Sequence, residues 1–173
     1  ENVFYYITIM NENYTHPAMP LGAEKGIIKG MYLLQPSPVQ RELKVTLLGS
    51  GTILREVLAA AELLAADFEV SADIWSVTSY NELRREGLDT ERWNMLHPEE
   101  SARQNYVAEC LGQVTDPIIA ATDYIKAYAD QIRPFMPSNQ NYHVLGTDGF
   151  GRSDTRKKLR SFFEVDRYYV AIA

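Results

Sequence analysis

From Lys44 onward, short apolar runs of strand length alternate with longer stretches in which apolar residues recur three and four apart. Those are the two spacings that bury a pleated strand or one face of a helix. Val45-Thr46-Leu47-Leu48 predicts a strand that ends in the turn Gly49-Ser50-Gly51, and Ile53, Leu54, Val57, Leu58, Ala61 and Leu64 make the apolar stripe of a following helix. Asp73 to Val77 predicts a second strand, after which Ser79 and Glu82 stand at capping-box spacing for a new helix. Ile118 to Ala121 predicts the third strand, and a helix from Tyr124 to Arg133 follows, ended by Pro134 and Pro137. Tyr142 to Leu145 is the fourth strand. The segment from Gly146 to Gly151 then turns the chain, and Ser153 is placed to cap a last helix through Lys158 to Phe163. Such alternation implies an α/β fold, a three-layer α/β/α arrangement with a mainly parallel twisted sheet and helices on both faces.

The first forty residues follow another pattern. Val3 to Ile9 mixes β-branched and aromatic residues and predicts a largely buried strand. Asn11 to Pro20 carries prolines and asparagines that exclude both a helix interior and a ladder strand, so it reads as a loop. A short helix is expected over Ala23 to Lys29, and Gln35-Pro36-Ser37-Pro38-Val39-Gln40 reads as an extended linker. A domain boundary is therefore placed near Glu42, dividing residues 1–42 from 43–173. Both ends of the chain read as cut, since it starts without methionine in an apolar strand and stops in the run Tyr168 to Ala173.

Composition narrows the function classes. The 173 residues are 46% hydrophobic and 23% charged, enough for a sizeable core. A formal charge of -6 leaves no field to attract nucleic acid or an anionic membrane, and no apolar run approaches the roughly 20 residues of a membrane span. Cys110 is the single cysteine and forms no internal disulfide, and the start has no signal-peptide pattern. A reducing, cytoplasmic setting follows as the expectation.

In a parallel sheet, ligands lie beyond the carboxyl ends of the strands, here Gly49-Ser50-Gly51, Val77-Thr78-Ser79, Thr122-Asp123 and Thr147-Asp148-Gly149. Gly49-Ser50-Gly51 has the geometry to cradle a phosphate at a helix start, although it lacks the dinucleotide spacing and the P-loop lysine. The plainer expectation is a glycine turn with Ser50 or Thr52 capping the helix. His16 stands in a proline-punctuated loop beside Asn13 and Tyr14, a setting that suits a polar side chain over a site. His97 is read as a helix-end residue and His143 as structural. No histidine or cysteine stands at metal-ligand spacing, and Cys110 has no evident base, so neither a bound metal nor a cysteine nucleophile is expected. Arg156-Lys157-Lys158 and Arg160 read as a solvent face or subunit contact.

Several long motifs in fixed order carry a resemblance. Glu1 to Thr8, Asn11-Glu12-Asn13-Tyr14, Pro17 to Pro20, Leu47 to Gly51, Glu91 to Pro98 and Gly146 to Asp154 together resemble the E1 subunit of bacterial homodimeric pyruvate dehydrogenase, over essentially the whole chain. The resemblance implies a large thiamine-diphosphate enzyme of three α/β domains arranged like transketolase. It decarboxylates pyruvate and passes the acetyl group to lipoyl arms of the E2 dihydrolipoyl acetyltransferase. Residues 1–42 then correspond to the end of the middle, pyrimidine-binding domain and its linker, and 43–173 to a carboxyl-terminal domain truncated at its own end. Implied partners are a second E1 subunit and E2. Thiamine diphosphate and magnesium are implied for the full-length parent and not for this segment, because the family's Gly-Asp-Gly motif with later paired asparagines is absent from this sequence. The segment alone is accordingly expected to be inactive, with a structural and dimerising role. In some family members the loop carries a histidine immediately after the tyrosine, facing the substrate adduct. Thr15 holds that place here and His16 follows, so the resemblance marks His16 as the candidate for hydrogen-bonding pyruvate, with Asn13, Tyr14 and Thr15 as neighbours. Which of Thr15 and His16 faces the site stays open. The alternatives are an autonomous α/β module that binds a phosphate-bearing effector, or a segment of a related thiamine enzyme, transketolase or 2-oxoglutarate dehydrogenase.

Overall fold

A computed structural model of the chain describes residues 2, 4–7, 9, 12–136 and 141–173. In chain order the elements begin with α1 (Glu24–Lys29), β1 (Met31–Gln35), β2 (Lys44–Gly49), α2 (Leu54–Asp67), β3 (Ser71–Val77) and α3 (Tyr80–Leu96). They continue with α4 (Tyr106–Leu111), β4 (Ile118–Ala121), α5 (Lys126–Asp130), β5 (Tyr142–Leu145), α6 (Arg156–Phe162) and α7 (Arg167–Ile172).

The strands form one sheet in the order β1-β3-β2-β4-β5, parallel except for β1, which runs antiparallel to β3 along one edge. β2 is central because it is apolar on both sides: Leu48 packs into one face and Leu47 into the other, both fully buried. On the first face α3, α4 and α5 cover Leu48, Val77, Ile118, Ala120 and Val144. On the second, α2 and α7 cover Leu47, Ile74, Ile119 and Leu145. Helices on both faces explain why these strands read as continuous apolar runs instead of strict alternation. Each fully buried leucine contributes roughly 2 kcal/mol relative to exposure. The expected α/β class with a mainly parallel sheet is the one observed. Among the described residues no helix is long and apolar enough to cross a membrane.

Several expectations need correction. β1 was not anticipated: Met31 to Gln35 joins the sheet ahead of the proline linker, so the sheet begins before Glu42. It is reached through Gly30, which ends α1 with φ 109° and whose added Cβ would lie 2.6 Å from the Ser79 carbonyl, so glycine alone fits there. The buried strand expected over Val3 to Ile9 does not form at the described positions. Phe4, Tyr5, Tyr6, Ile7 and Ile9 are 75–91% exposed, and among the described residues no strand lies beside them to meet their peptide groups. Val3, Thr8, Asn11 and Pro137, which entered those expectations, lie outside the described residues.

The helix expected from Tyr124 is shortened to α5. The Tyr124 carbonyl accepts the Thr147 N–H at 2.8 Å and the Asp148 carboxylate accepts the Lys126 N–H at 2.9 Å, bonds to the turn after β5 that hold Ile125 extended. Thr155, not Ser153, caps α6, accepting the Lys158 N–H at 3.5 Å. The apolar terminal run from Tyr168, to which the sequence assigned no element, lies in α7, capped by Asp166.

Candidate functional site

The carboxyl ends of β2, β4 and β5 share one edge of the sheet, and side chains there bond across strands. Ser50 Oγ donates to Thr122 Oγ1 at 2.8 Å, Thr52 Oγ1 to the Asp123 carboxylate at 3.2 Å, and Thr147 Oγ1 to the Asp123 carbonyl at 2.6 Å. Neither Ser50 nor Thr52 caps the helix as expected. The chain enters α2 through a 3-10 turn over Gly51–Ile53 that lacks a side-chain cap, and both hydroxyls reach the adjacent strand instead. The Asp123 carboxylate beside Gly51 and Thr52 supplies a negative charge where the Gly49-Ser50-Gly51 reading had placed a phosphate. A cleft of about 380 Å³ opens next to this network, bounded by Thr52, Asp123, Thr147, Arg152, Arg156 and Phe163.

A second cleft, also about 380 Å³, lies where the amino-terminal loop meets α2, α6 and α7. Glu12 Oε2 pairs with Arg156 Nη1 at 2.8 Å, and Tyr14 OH donates to the same carboxylate. The Arg156 guanidinium also reaches Tyr14 OH at 3.4 Å, and the Arg55 guanidinium sits 4.2 Å over the Tyr14 ring. The Tyr14 hydrogen bond, and then Arg156, hold the Glu12 carboxyl below its ordinary value. Tyr14 is half-buried, whereas Asn13, Thr15 and His16 are exposed. The His16 ring lies against the next carbonyl, Nδ1 to Pro17 O at 3.3 Å. The loop thus gathers Glu12 and Tyr14 onto the folded body and leaves the other candidates facing outward.

Deeper in this corner, Glu56 is 5% exposed inside the apolar stripe of α2. It accepts from Arg160 Nη1 at 3.1 Å and Arg167 Nε at 3.0 Å. Burial pushes its carboxyl up, but the bonds from Arg167 and the charge of Arg160 prevail and hold it below the ordinary value. The cluster around Arg156 and Arg160 is therefore corrected from a plain solvent face: both side chains are half-buried and bonded to carboxylates of other elements.

The model of the Transketolase-like TK C-terminal domain matches residues 30–166. The chain belongs to this family. It is similar to the pyruvate dehydrogenase E1 component of Pseudomonas aeruginosa, 64% identical over all 173 residues and 20% of that protein. It is 56% identical over its full length to the Escherichia coli K12 protein of the same name, of which it covers 19%. The chain thus spans about a fifth of the length of these curated relatives. Transketolase from Leishmania mexicana superposes with TM-score 0.54 at 16% identity, over 86% of this chain and 18% of that one. The Campylobacter jejuni transketolase does so with TM-score 0.52 at 20% identity, over 83% and 18%. These structural likenesses concern the fold, and they agree with the mixed five-stranded sheet.

Within this transketolase-like domain the remaining sequence candidates are placed as follows. His97 ends α3, stacked on Trp93 at 4.4 Å with Nδ1 2.8 Å from the Trp93 carbonyl, so that nitrogen carries the proton. His143 points outward from β5. Burial pushes the Cys110 thiol up, which keeps it protonated at neutral pH. Sequence reasoning missed Glu56 and the pairings of Arg55, Arg156 and Arg160. A charge at position 56, inside the stripe Ile53, Val57, Ala60, was the signal for the first. No local signal marks the others.

Proposed function

We propose that this chain is part of a pyruvate dehydrogenase E1 component, within a longer cytoplasmic protein that decarboxylates pyruvate and passes the acetyl group to the lipoyl groups of E2. The observation that carries the reading is identity of 64% and 56% across the whole chain to two proteins of that name. In this reading thiamine diphosphate and magnesium serve the longer protein. Among the described residues there is no group of three or more His, Cys, Asp or Glu side chains suited to a metal ion. The chain itself supplies a domain that supports homodimerisation and presents the Asn13 to His16 loop, with His16 or Thr15 toward pyruvate. The stretch before β1 is the end of the preceding domain.

The test is an exchange. The aligned 173 residues of the E. coli protein are replaced by this chain, and pyruvate-dependent NADH formation is measured with E2, an enzyme that reoxidises the dihydrolipoyl groups, and NAD added. Activity within about threefold of the parent is expected, and a soluble, dimeric but inactive chimera overturns the reading. Calorimetry of the isolated chain with thiamine diphosphate and magnesium is expected to show no binding; tight binding would contradict the assignment of the cofactor to other segments.

A further inference from the structure

We propose that Arg156 on α6 and Arg55 on α2 are positioning residues: they clamp Glu12 and Tyr14 and thereby fix where Asn13, Thr15 and His16 meet the substrate. The inference rests on the reading that this loop is on the substrate side.

The loop has no secondary structure of its own to hold it, since residues 13–20 form neither helix nor strand. What fixes it is distant in sequence: the 2.8 Å ion pair of Glu12 with Arg156, the bond between Arg156 and Tyr14 OH at 3.4 Å, and the guanidinium of Arg55 over the Tyr14 ring at 4.2 Å. Gripping Glu12 and Tyr14 fixes the loop at two points and leaves Asn13 between them, and Thr15 and His16 just beyond, exposed. A ring under a guanidinium and a carboxylate in a charged bond define the orientation of the loop as well as its attachment.

The clamp stands on a prepared base. Arg55 adjoins Glu56 on α2, and Arg156 lies one helical turn from Arg160 on α6, while Glu56 ties Arg160 and Arg167 together at 3.1 and 3.0 Å. The helices that carry the two arginines are thus tied to one another by bonds that do not involve the loop. That is the support a positioning group needs to hold a reacting geometry. Arg156 also borders the cleft at the carboxyl edge of the sheet, so the loop is tied to that edge.

The experiment uses the full-length E. coli chimera with the substitutions Arg156→Leu, Arg156→Lys, Arg55→Leu and, as a control on the same helix, Lys157→Ala. Steady-state kinetics with pyruvate is combined with hydrogen exchange resolved to residues 12–20. Arg156→Leu is expected to raise KM about fivefold, the reach of a charged pair of this exposure, with kcat changed less than about twofold. Arg55→Leu has a smaller effect in the same direction, Arg156→Lys recovers most of the loss, and Lys157→Ala leaves both constants unchanged. Exchange in the loop accelerates in Arg156→Leu while β2 and β4 stay protected. Unchanged loop exchange overturns the clamp, and faster exchange with unchanged KM overturns the positioning role. If the unsubstituted chimera fails to convert pyruvate, the functional reading has failed, and loop exchange alone then upholds or overturns the clamp.

Discussion

The two faces of the sheet are held by different physics. Under α3, α4 and α5 the buried contacts are mainly apolar and set by shape. Leu83 is fully buried, and Gly87 brings α3 so close that an added Cβ would stand 2.6 Å from the Phe135 ring. On the other face α2 contributes Val57, Ala60 and Leu64, but also the buried carboxylate of Glu56 between Arg160 and Arg167. The difference shows in what the helices bury. α3 has 17 residues and a serine cap, whereas α6 and α7 have 7 and 6, too short to persist without tertiary anchors, and α6 buries no residue of its own. α6 is tied to α2 by charge through Arg160, and α7 by Arg167 together with the buried Val170, whereas α4 and α5, just as short, are packed down by Val107, Leu111 and Ala129.

Emptying the shape-held face should therefore have the largest effect. Leu83→Ala is expected to cost about 3 kcal/mol in chemical denaturation, since a fully buried leucine leaves both lost transfer energy and a cavity. A loss below about 1 kcal/mol would mean that α3 can settle inward. Overfilling the same face comes next. Gly87→Ala should cost about 2 kcal/mol net, because displacing the packed Phe135 ring outweighs the roughly 1 kcal/mol that alanine gains in a helix.

The charged face predicts a pH dependence carried by a buried carboxylate. The Glu56 carboxyl is held below its ordinary value near 4.5, so its folded form binds a proton less readily than its unfolded form. Its stabilisation is complete above that ordinary value and is lost as pH falls through the lowered one. Glu56→Gln should cost about 1.5 kcal/mol at pH 7 and flatten the acid limb of stability, with the loss concentrated in hydrogen exchange of α6 and α7. An acid limb unchanged by the substitution would show that the two arginines hold these helices without it.

The same contrast explains what the sequence made legible. β4 and β5 were readable to the residue because both are short apolar runs, Ile118 to Ala121 and Tyr142 to Leu145, bounded by polar or turn-forming neighbours. Ser79 was readable as the cap of α3 and accepts the Glu82 N–H at 3.1 Å. The reciprocal half of the capping box was not, because the Ser79 N–H goes to the Gly30 carbonyl and Glu82 to Arg85. Periodicity reports what faces a core, so it misses groups whose partners lie far along the chain. Glu56 meets its arginines 104 and 111 residues away, and Tyr14 meets Arg156 across 142. The loop carrying Asn13 to His16 was recognisable as polar and proline-bound, but no local pattern could disclose what holds it.

The smallest expected effect sharpens the comparison most. Thr46 lies in β2 on the same side as Leu48, toward the shape-held face, and is 1% exposed. Its hydroxyl is buried with no hydrogen-bond partner among the described residues, whereas the buried carboxylate of the opposite face is bonded on both oxygens. An unmet hydroxyl loses its hydration on folding and receives nothing in return, so Thr46→Val, which keeps the branched shape, should stabilise the protein by about 1 kcal/mol. For a domain of this size that corresponds to a rise in Tm of about 3 °C. The backbone bonds of the strand are untouched, including the 2.9 Å bond from the Thr46 N–H to the Pro117 carbonyl, so the gain reports the side chain alone. A loss of stability instead would reveal a bound water on the hydroxyl, and would mean that the apolar face, like the charged one, depends on a satisfied polar group.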